Sequence, residues 1–262
     1  MCIRDSNKGI ETAVDFKIVR TKDFDFSLNA NFAYNKNEVT DLGQVEKFES
    51  GTSIIKKGLA LGSHYTVKNA GVDPATGTQL YYNLDGTTTS SYNAATQSQT
   101  GFGTYNAPFT GGFGSLFRYK GFDLSTFFSF LNGYSRFNNE TYFLTNLGNV
   151  GSYNQTRNVL NYWKTPGQIT DIPKLGNARQ FNSADIYDAS FIRLRNVVLG
   201  YTLPKSAIKA LKFVSGVKLY VQGQNLYTWT KWPGFDPEDS NNIASFEYPA
   251  SRQYTFGLDI RF

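Results

Sequence analysis

The sequence predicts an all-β protein, a piece of an antiparallel transmembrane β-barrel, and three observations lead there. Segments with a strict period of two recur along the chain; in the final YTFGLDIRF, Tyr254, Phe256, Leu258, Ile260 and Phe262 alternate with Thr255, Gly257, Asp259 and Arg261. The connections between these segments alternate between short and long. Aromatic residues make up 16% of the 262 residues and charged residues only 18%, below the roughly 25% of an ordinary soluble domain.

Residues 10–18, IETAVDFKI, place Ile10, Thr12, Val14, Phe16 and Ile18 on one face, and residues 24–35 repeat the pattern after the short RTKD turn, which makes a hairpin. Residues 38–110 are rich in Gly, Thr, Ser and Asn and sustain no period beyond short pieces such as TQLYYN, so they read as a long irregular excursion. Alternation returns in FGSLFRY (113–119) and, past a tight YKGF turn, in FDLSTFFSF (122–130), where Phe122, Leu124, Phe128 and Phe130 share a face. A second polar excursion, about 132–188, leads to FIRLRNVVLGYTL (191–203). In PKSAIKALKF, Pro204 suits a first helical position and Ile208 and Leu211 have helical spacing, which predicts one or two helical turns. VKLYVQGQNLYT (217–228) and the terminal strand bring the count to about eight strands.

Connections are short after residues 20, 119 and 203 and long after 36, 131 and 228. Membrane barrels have this asymmetry, with short periplasmic turns, long extracellular loops and strands of roughly 9 to 11 residues. On that topology Tyr34, Tyr134, Tyr227 and Trp229 fall at outer strand ends, and Tyr119, Tyr201 and Phe262 at inner ends, where interfacial aromatic rings belong. Arg193 and Arg195 share a face with Phe191 and Val197 and are expected to point to the lumen or the outer rim, since a charge on lipid costs roughly 2 to 4 kcal/mol at the midplane. A soluble β-sandwich produces the same alternation and a passive porin or adhesin the same loops, so both remain alternatives.

Several classes of chemistry lack their residues. Lys and Arg are scattered through a chain of net charge +5, which argues against nucleic acid. Cys2 is the single cysteine and forms no disulfide framework or zinc cluster by itself. No apolar stretch reaches 18 residues, which excludes a membrane helix and leaves a barrel open. His64 has no partner for a metal site and reads as a loop histidine; NLDG (83–86) lacks the spacing and closing Glu of a calcium loop. With no G-x-S-x-G and no P-loop, no catalytic role, cofactor or metal is expected. In YTWTKWPGFDPEDSNN, Tyr227, Trp229, Trp232 and Phe235 could stack on sugars or dock a partner's loop; alternatively Tyr227 and Trp229 are interfacial rings and PGFDPE a rigid turn. The leader MCIRDS (1–6) has no apolar segment and reads as non-native.

Six strings, NKGIETAVDFKIVRTKDFDFSLNANFAYNKNEVTDLG, NAGVDPATGTQLYYN, FTGGFGSLFRYKGFDLSTFF, ASFIRLRNVVLGYTLP, KLYVQGQNLYTWTKWPGFDPE and YPASRQYTFGLDIRF, resemble the SusC/RagA group of TonB-dependent outer-membrane transporters. The resemblance spans most of residues 7–262 and is most specific from Ala189 onward. It implies a barrel of about 22 strands, of which 7–262 would be the C-terminal portion, with the plug domain and TonB box not represented. It further implies import of oligosaccharides or peptides across the outer membrane, energy from the TonB complex, and a SusD-like surface lipoprotein as lid. The terminal strand carrying Tyr254, Phe256, Leu258, Ile260 and Phe262 would face outer-membrane lipid and be read by the barrel-assembly machinery.

Overall fold

The computed structural model describes residues 3–210, 212–239 and 241–262; Cys2 and Leu211 lie outside them. Seven long strands form one antiparallel sheet in which each neighbours the next in sequence: β1 (Arg4–Arg20), β2 (Phe24–Asp41), β3 (Phe109–Tyr119), β4 (Phe122–Asn132), β5 (Phe191–Thr202), β6 (Gly216–Thr230) and β7 (Gln253–Arg261). The sheet thus has seven strands where the alternation suggested about eight; TQLYYN stays in the first loop, where Gln79–Tyr82 pairs with Asn69–Val72 and Thr88–Thr89. Short connections occupy residues 21–23, 120–121 and 203–215, and long ones 42–108, 133–190 and 231–252. At the tightest turn Lys120 and Gly121 both adopt positive φ (45° and 91°), the geometry that lets a two-residue loop follow the twist of its strands. The helical turn after Pro204 is brief, Lys205–Ile208.

The two faces of the sheet differ as the period of two demands. Register places Phe24, Tyr119, Phe122, Tyr201, Leu219 and Leu258 in one continuous row at the short-turn end of one face. Above it that face carries Phe16 and Leu28, Phe117, Leu199 with Val221, and Phe256. These side chains are open, Phe256 by 81%, and the sheet packs against no second sheet among the described residues. A sandwich would bury them; the single-layer arrangement corrects that alternative.

The opposite face is polar. One row there runs Asp25, Arg118, Asp123, Gly200, Tyr220, Gly257. Lys218 reaches across β5 to Asp123, Nζ to Oδ2 2.8 Å. It can do so because position 200 has no side chain: a Cβ there would stand 2.4 Å from the lysine Cε and 2.8 Å from both Asp123 oxygens. Tyr220 lies across Gly257 in the same way, its Cζ 2.1 Å from where a Cβ would sit.

The packed interior lies in the long loops. Tyr134, Ala189, Phe191, Trp232 and Ala244 form a buried cluster over the outer ends of the strands. Tyr134 belongs there and not with the interfacial rings: its hydroxyl donates to the Pro237 carbonyl at 2.8 Å, and burial raises its pKa. A small sheet joins the second and third loops, with Ser135–Asn138 pairing to Ile186–Asp188 and to Ile243–Ala244.

Substituting Gly200→Val should therefore break the Lys218–Asp123 bridge and overpack the inner wall, at a cost of about 1–3 kcal/mol. The check is the temperature at which the full-length barrel loses its folded mobility on a gel. In a Lys218→Met background the same substitution should cost less; strictly additive effects would show that the glycine is not there to admit the bridge.

Candidate ligand and partner surface at the loop end

Two arginines on β5 organise this end. A bulge between Leu194 and Asn196 leaves Arg195 opposite no β4 residue, and on β6 Asn225 absorbs the irregularity with a φ of 50°, a conformation Asn tolerates better than most residues. The bulge separates residues that simple alternation puts together: Val197 pairs with Gly223 on the apolar face, while Phe191 and Arg193 turn inward and are buried.

Arg193 is 2% exposed. Its Nε donates to Thr228 Oγ1 at 2.9 Å, and its guanidinium pairs with Asp236 and, at 3.0 Å, with Glu238. Arg195 pairs with the same Glu238 and donates to Ser129 Oγ at 2.7 Å. A third arginine, Arg136 of the second loop, donates to the carbonyls of Asn241 (2.8 Å) and Asp236 (3.1 Å), pairs with Asp239 at 2.9 Å, and lies over the Trp232 ring. Asp236 also accepts from the Glu238 and Ala250 amides at 2.9 and 2.8 Å, so one carboxylate ties both limbs of the third loop. Burial alone would raise its pKa, but these amide hydrogen bonds and Arg193 outweigh burial and hold it below the ordinary carboxylate range.

The four aromatic residues expected to form a ligand or partner loop are dispersed. Tyr227 and Trp229 meet edge to face at 4.7 Å on the exposed apolar side. Trp232 is 6% exposed and sits in the loop core, whereas Phe235 is 60% exposed. Tyr254, Phe256, Leu258 and Ile260 line one face of β7, opposite Gly223, Val221, Leu219 and Val217, with Phe262 exposed beyond the strand end. His64 is fully buried, its Nε2 2.9 Å from the Ser135 carbonyl, and burial lowers its pKa. The Asp85 carboxylate of NLDG accepts from the Thr87 amide and hydroxyl as a turn. Among the described residues no three His, Cys, Asp or Glu side chains converge.

FIRLRN and GFDPE meet here, a union their sequence positions do not by themselves announce. Two basic side chains two apart on a strand, and two acidic side chains two apart on a loop, were the available signal. Sequence alone also gives no sign of a polar cavity of about 600 Å³ between the first and second loops. Arg179 lines it and is held by Asp185 through two bonds of 2.8 and 2.6 Å.

No protein-family model matches the chain. It is 31% identical to TonB-dependent receptor P3 of Formosa agariphila, over 98% of this chain and 28% of that protein. It is 28% identical to TonB-dependent receptor SusC of Bacteroides thetaiotaomicron, over 98% and 26%. Among solved structures, the RagAB peptide transporter superposes with a TM-score of 0.91 at 34% identity, over 98% of this chain and 29% of that one. The open-open state of the RagAB peptide importer gives 0.92 at 34% identity, over 99% and 29%. The chain thus spans less than a third of the length of these relatives.

Removing Arg193 should strand Asp236 in a buried position, which costs about 3 kcal/mol or more. In the full-length protein, Arg193→Leu should speed protease cleavage within 231–252 by about 100-fold, at a factor of ten per 1.4 kcal/mol. Arg193→Leu with Asp236→Leu should recover part of the loss. Because the Asp236 pKa is depressed, its stabilisation is present above the ordinary Asp value of about 4 and is lost only as pH falls below it. The protection of amides in this loop, taken relative to their intrinsic exchange rate at each pH, should be unchanged by the Asp236 titration between pH 7 and pH 5 and should fall below about pH 4.

Proposed function

Because the chain belongs to the SusC/RagA group of TonB-dependent receptors, we propose that residues 7–262 form the C-terminal part of the barrel of an outer-membrane importer of oligomeric nutrients, oligosaccharides or peptides. The observation that carries this reading is the contrast between the sheet's faces: an open apolar face suited to acyl chains, and a polar face with Asp123, Lys218, Asn196 and Gln222 suited to a watery lumen. Loops pinned over the outer end offer a cargo-binding surface and a seat for a SusD-like lipoprotein. Energy would enter through the TonB complex and a plug domain carried elsewhere in the full-length protein.

In this reading the protein is a carrier and no enzyme. Tyr227 and Trp229 lie at the lipid headgroup level, and the row Tyr254, Phe256, Leu258, Ile260 and Phe262 faces lipid and serves recognition by the barrel-assembly machinery. The runner-up, a passive porin or adhesin, shares the wall and differs in needing no energy.

The test is uptake of labelled oligosaccharides and peptides by cells carrying or lacking the full-length gene. Uptake should require the gene and should stop when TonB is deleted or the proton gradient is collapsed. Gene-dependent uptake that survives both treatments would point to the porin. In the same cells, Phe262→Ala should lower the amount of receptor recovered in the outer membrane.

A further inference from the structure

His64, the chain's single histidine, stands where the first loop meets the second and is sealed from solvent, at 0% exposure. Its strand, Ser63–His64, pairs with Ser53–Lys56, and its amide donates to the Gly103 carbonyl at 3.0 Å. The second loop enters through one residue. Ser135 donates its amide to the Thr104 carbonyl and its hydroxyl to the Phe102 carbonyl, both at 2.9 Å, and its own carbonyl lies 2.9 Å from His64 Nε2. These hydrogen bonds form a seam between the two loops, and only the last involves a group that titrates near neutral pH.

The contact fixes the protonation state of the ring. A carbonyl oxygen can only accept, so Nε2 carries the hydrogen of the neutral imidazole and Nδ1 keeps a lone pair. Nδ1 is buried and has no hydrogen-bond partner among the described residues. A proton added there would meet no acceptor and would place a cation in a sealed site. The titratable groups on the packed elements do not offset it. Tyr105 meets the imidazole edge-on at 6.3 Å, Tyr65 lies under Lys47 Nζ at 5.3 Å, Lys56 is exposed, and Arg136 is paired with Asp239. No carboxylate among the described residues acts on the ring, and burial lowers its pKa against the pull of the Ser135 carbonyl. Once the seam opens, the ring regains water and its ordinary pKa of about 6.5.

We propose that His64 is an acid-sensitive clasp: as pH falls below neutral, protonation of the released ring holds the first loop away from Ser135 and loosens the loop assembly there. The open state takes up the proton and the closed state resists it. Closure is therefore fully favoured above about pH 6.5 and is lost progressively below it, by at most about tenfold per pH unit. The clasp is local. The same loops are also joined by the Asn69 amide donating to Ser183 Oγ and by the Tyr92 hydroxyl donating to the Phe181 carbonyl, both at 3.0 Å, and neither contact titrates in this range. The clasp is independent of what the barrel carries.

The test is hydrogen exchange in the full-length receptor between about pH 7.5 and about pH 5.5, with protection taken relative to the intrinsic rate at each pH. The amides of His64 and Tyr105 donate within the first loop, to the Gly103 and Gly62 carbonyls. Their protection should fall severalfold, with about tenfold as the limit set by one proton, while the Asn69 amide and those of residues 231–252 stay constant. In His64→Gln, whose side-chain amide can still donate to Ser135 and does not titrate, the fall should vanish whatever the level of protection at neutral pH. A second measurement needs no variant: exchange of the imidazole Cε1 hydrogen of His64, followed by mass spectrometry, should titrate with a midpoint below about 6.5. Constant protection in the unaltered receptor, an equal fall in His64→Gln, a fall shared by Asn69 and residues 231–252, or an imidazole midpoint at or above about 6.5 would each overturn the inference.

Discussion

A sheet that crosses hydrocarbon has no water to satisfy its amides and carbonyls, so each spanning strand must pair with neighbours along its length. Every other feature of the wall follows from that requirement. Six successive antiparallel pairings join the seven strands in chain order, which keeps loop closure local and leaves side chains as the only variable. With the backbone committed, the period of two divides the residues between two solvents. Phe16, Phe122, Leu219 and Phe256 go one way, and Asp123, Lys218 and Gln222 the other.

The consequence is an inverted distribution of packing. In a soluble domain the sheet is the core; here, among the described residues, the apolar face of the wall lies open, the loops cover only the outer end of the polar face, and the buried side chains gather there. That region is held by charge as much as by hydrocarbon: Arg136, Arg179 and Arg193 are all nearly sealed from solvent, and each has a carboxylate partner. Buried pairs of this kind are a modest source of net stability but a strong constraint on geometry, because any arrangement that separates them leaves an uncompensated charge. The third loop is therefore fixed in place relative to β5, and exposed residues such as Phe235 project from a firm base.

The wall was largely legible from sequence, because alternation and turn chemistry are local signals. YKGF announced its turn, and the short and long connections sorted themselves. Where a bulge intervened, local reading failed: the spacing of Arg193, Arg195 and Val197 suggested one face, and a single extra residue in β5 sent Val197 to the other. The loop end was mostly illegible. The union of Arg193 with Asp236, or of Gln79 with Asn69 beside a wall built by Arg179, depends on contacts between distant segments. Tyr134 and Trp232 show the same limit, since an aromatic near a strand end has the same local pattern whether it meets lipid or a loop core. The family resemblance was legible because whole strings such as FIRLRN and GFDPE carry it, although their pairing was not.

The gap at Gly200 has a meaning for descent as well as for form. Asp123, Gly200 and Lys218 stand on three different strands, yet the middle one must stay bare for the outer two to touch. Such positions should drift as a trio: a relative that acquires bulk at the centre is expected to have surrendered one of the flanking charges first, so their joint history would be written in correlated substitutions.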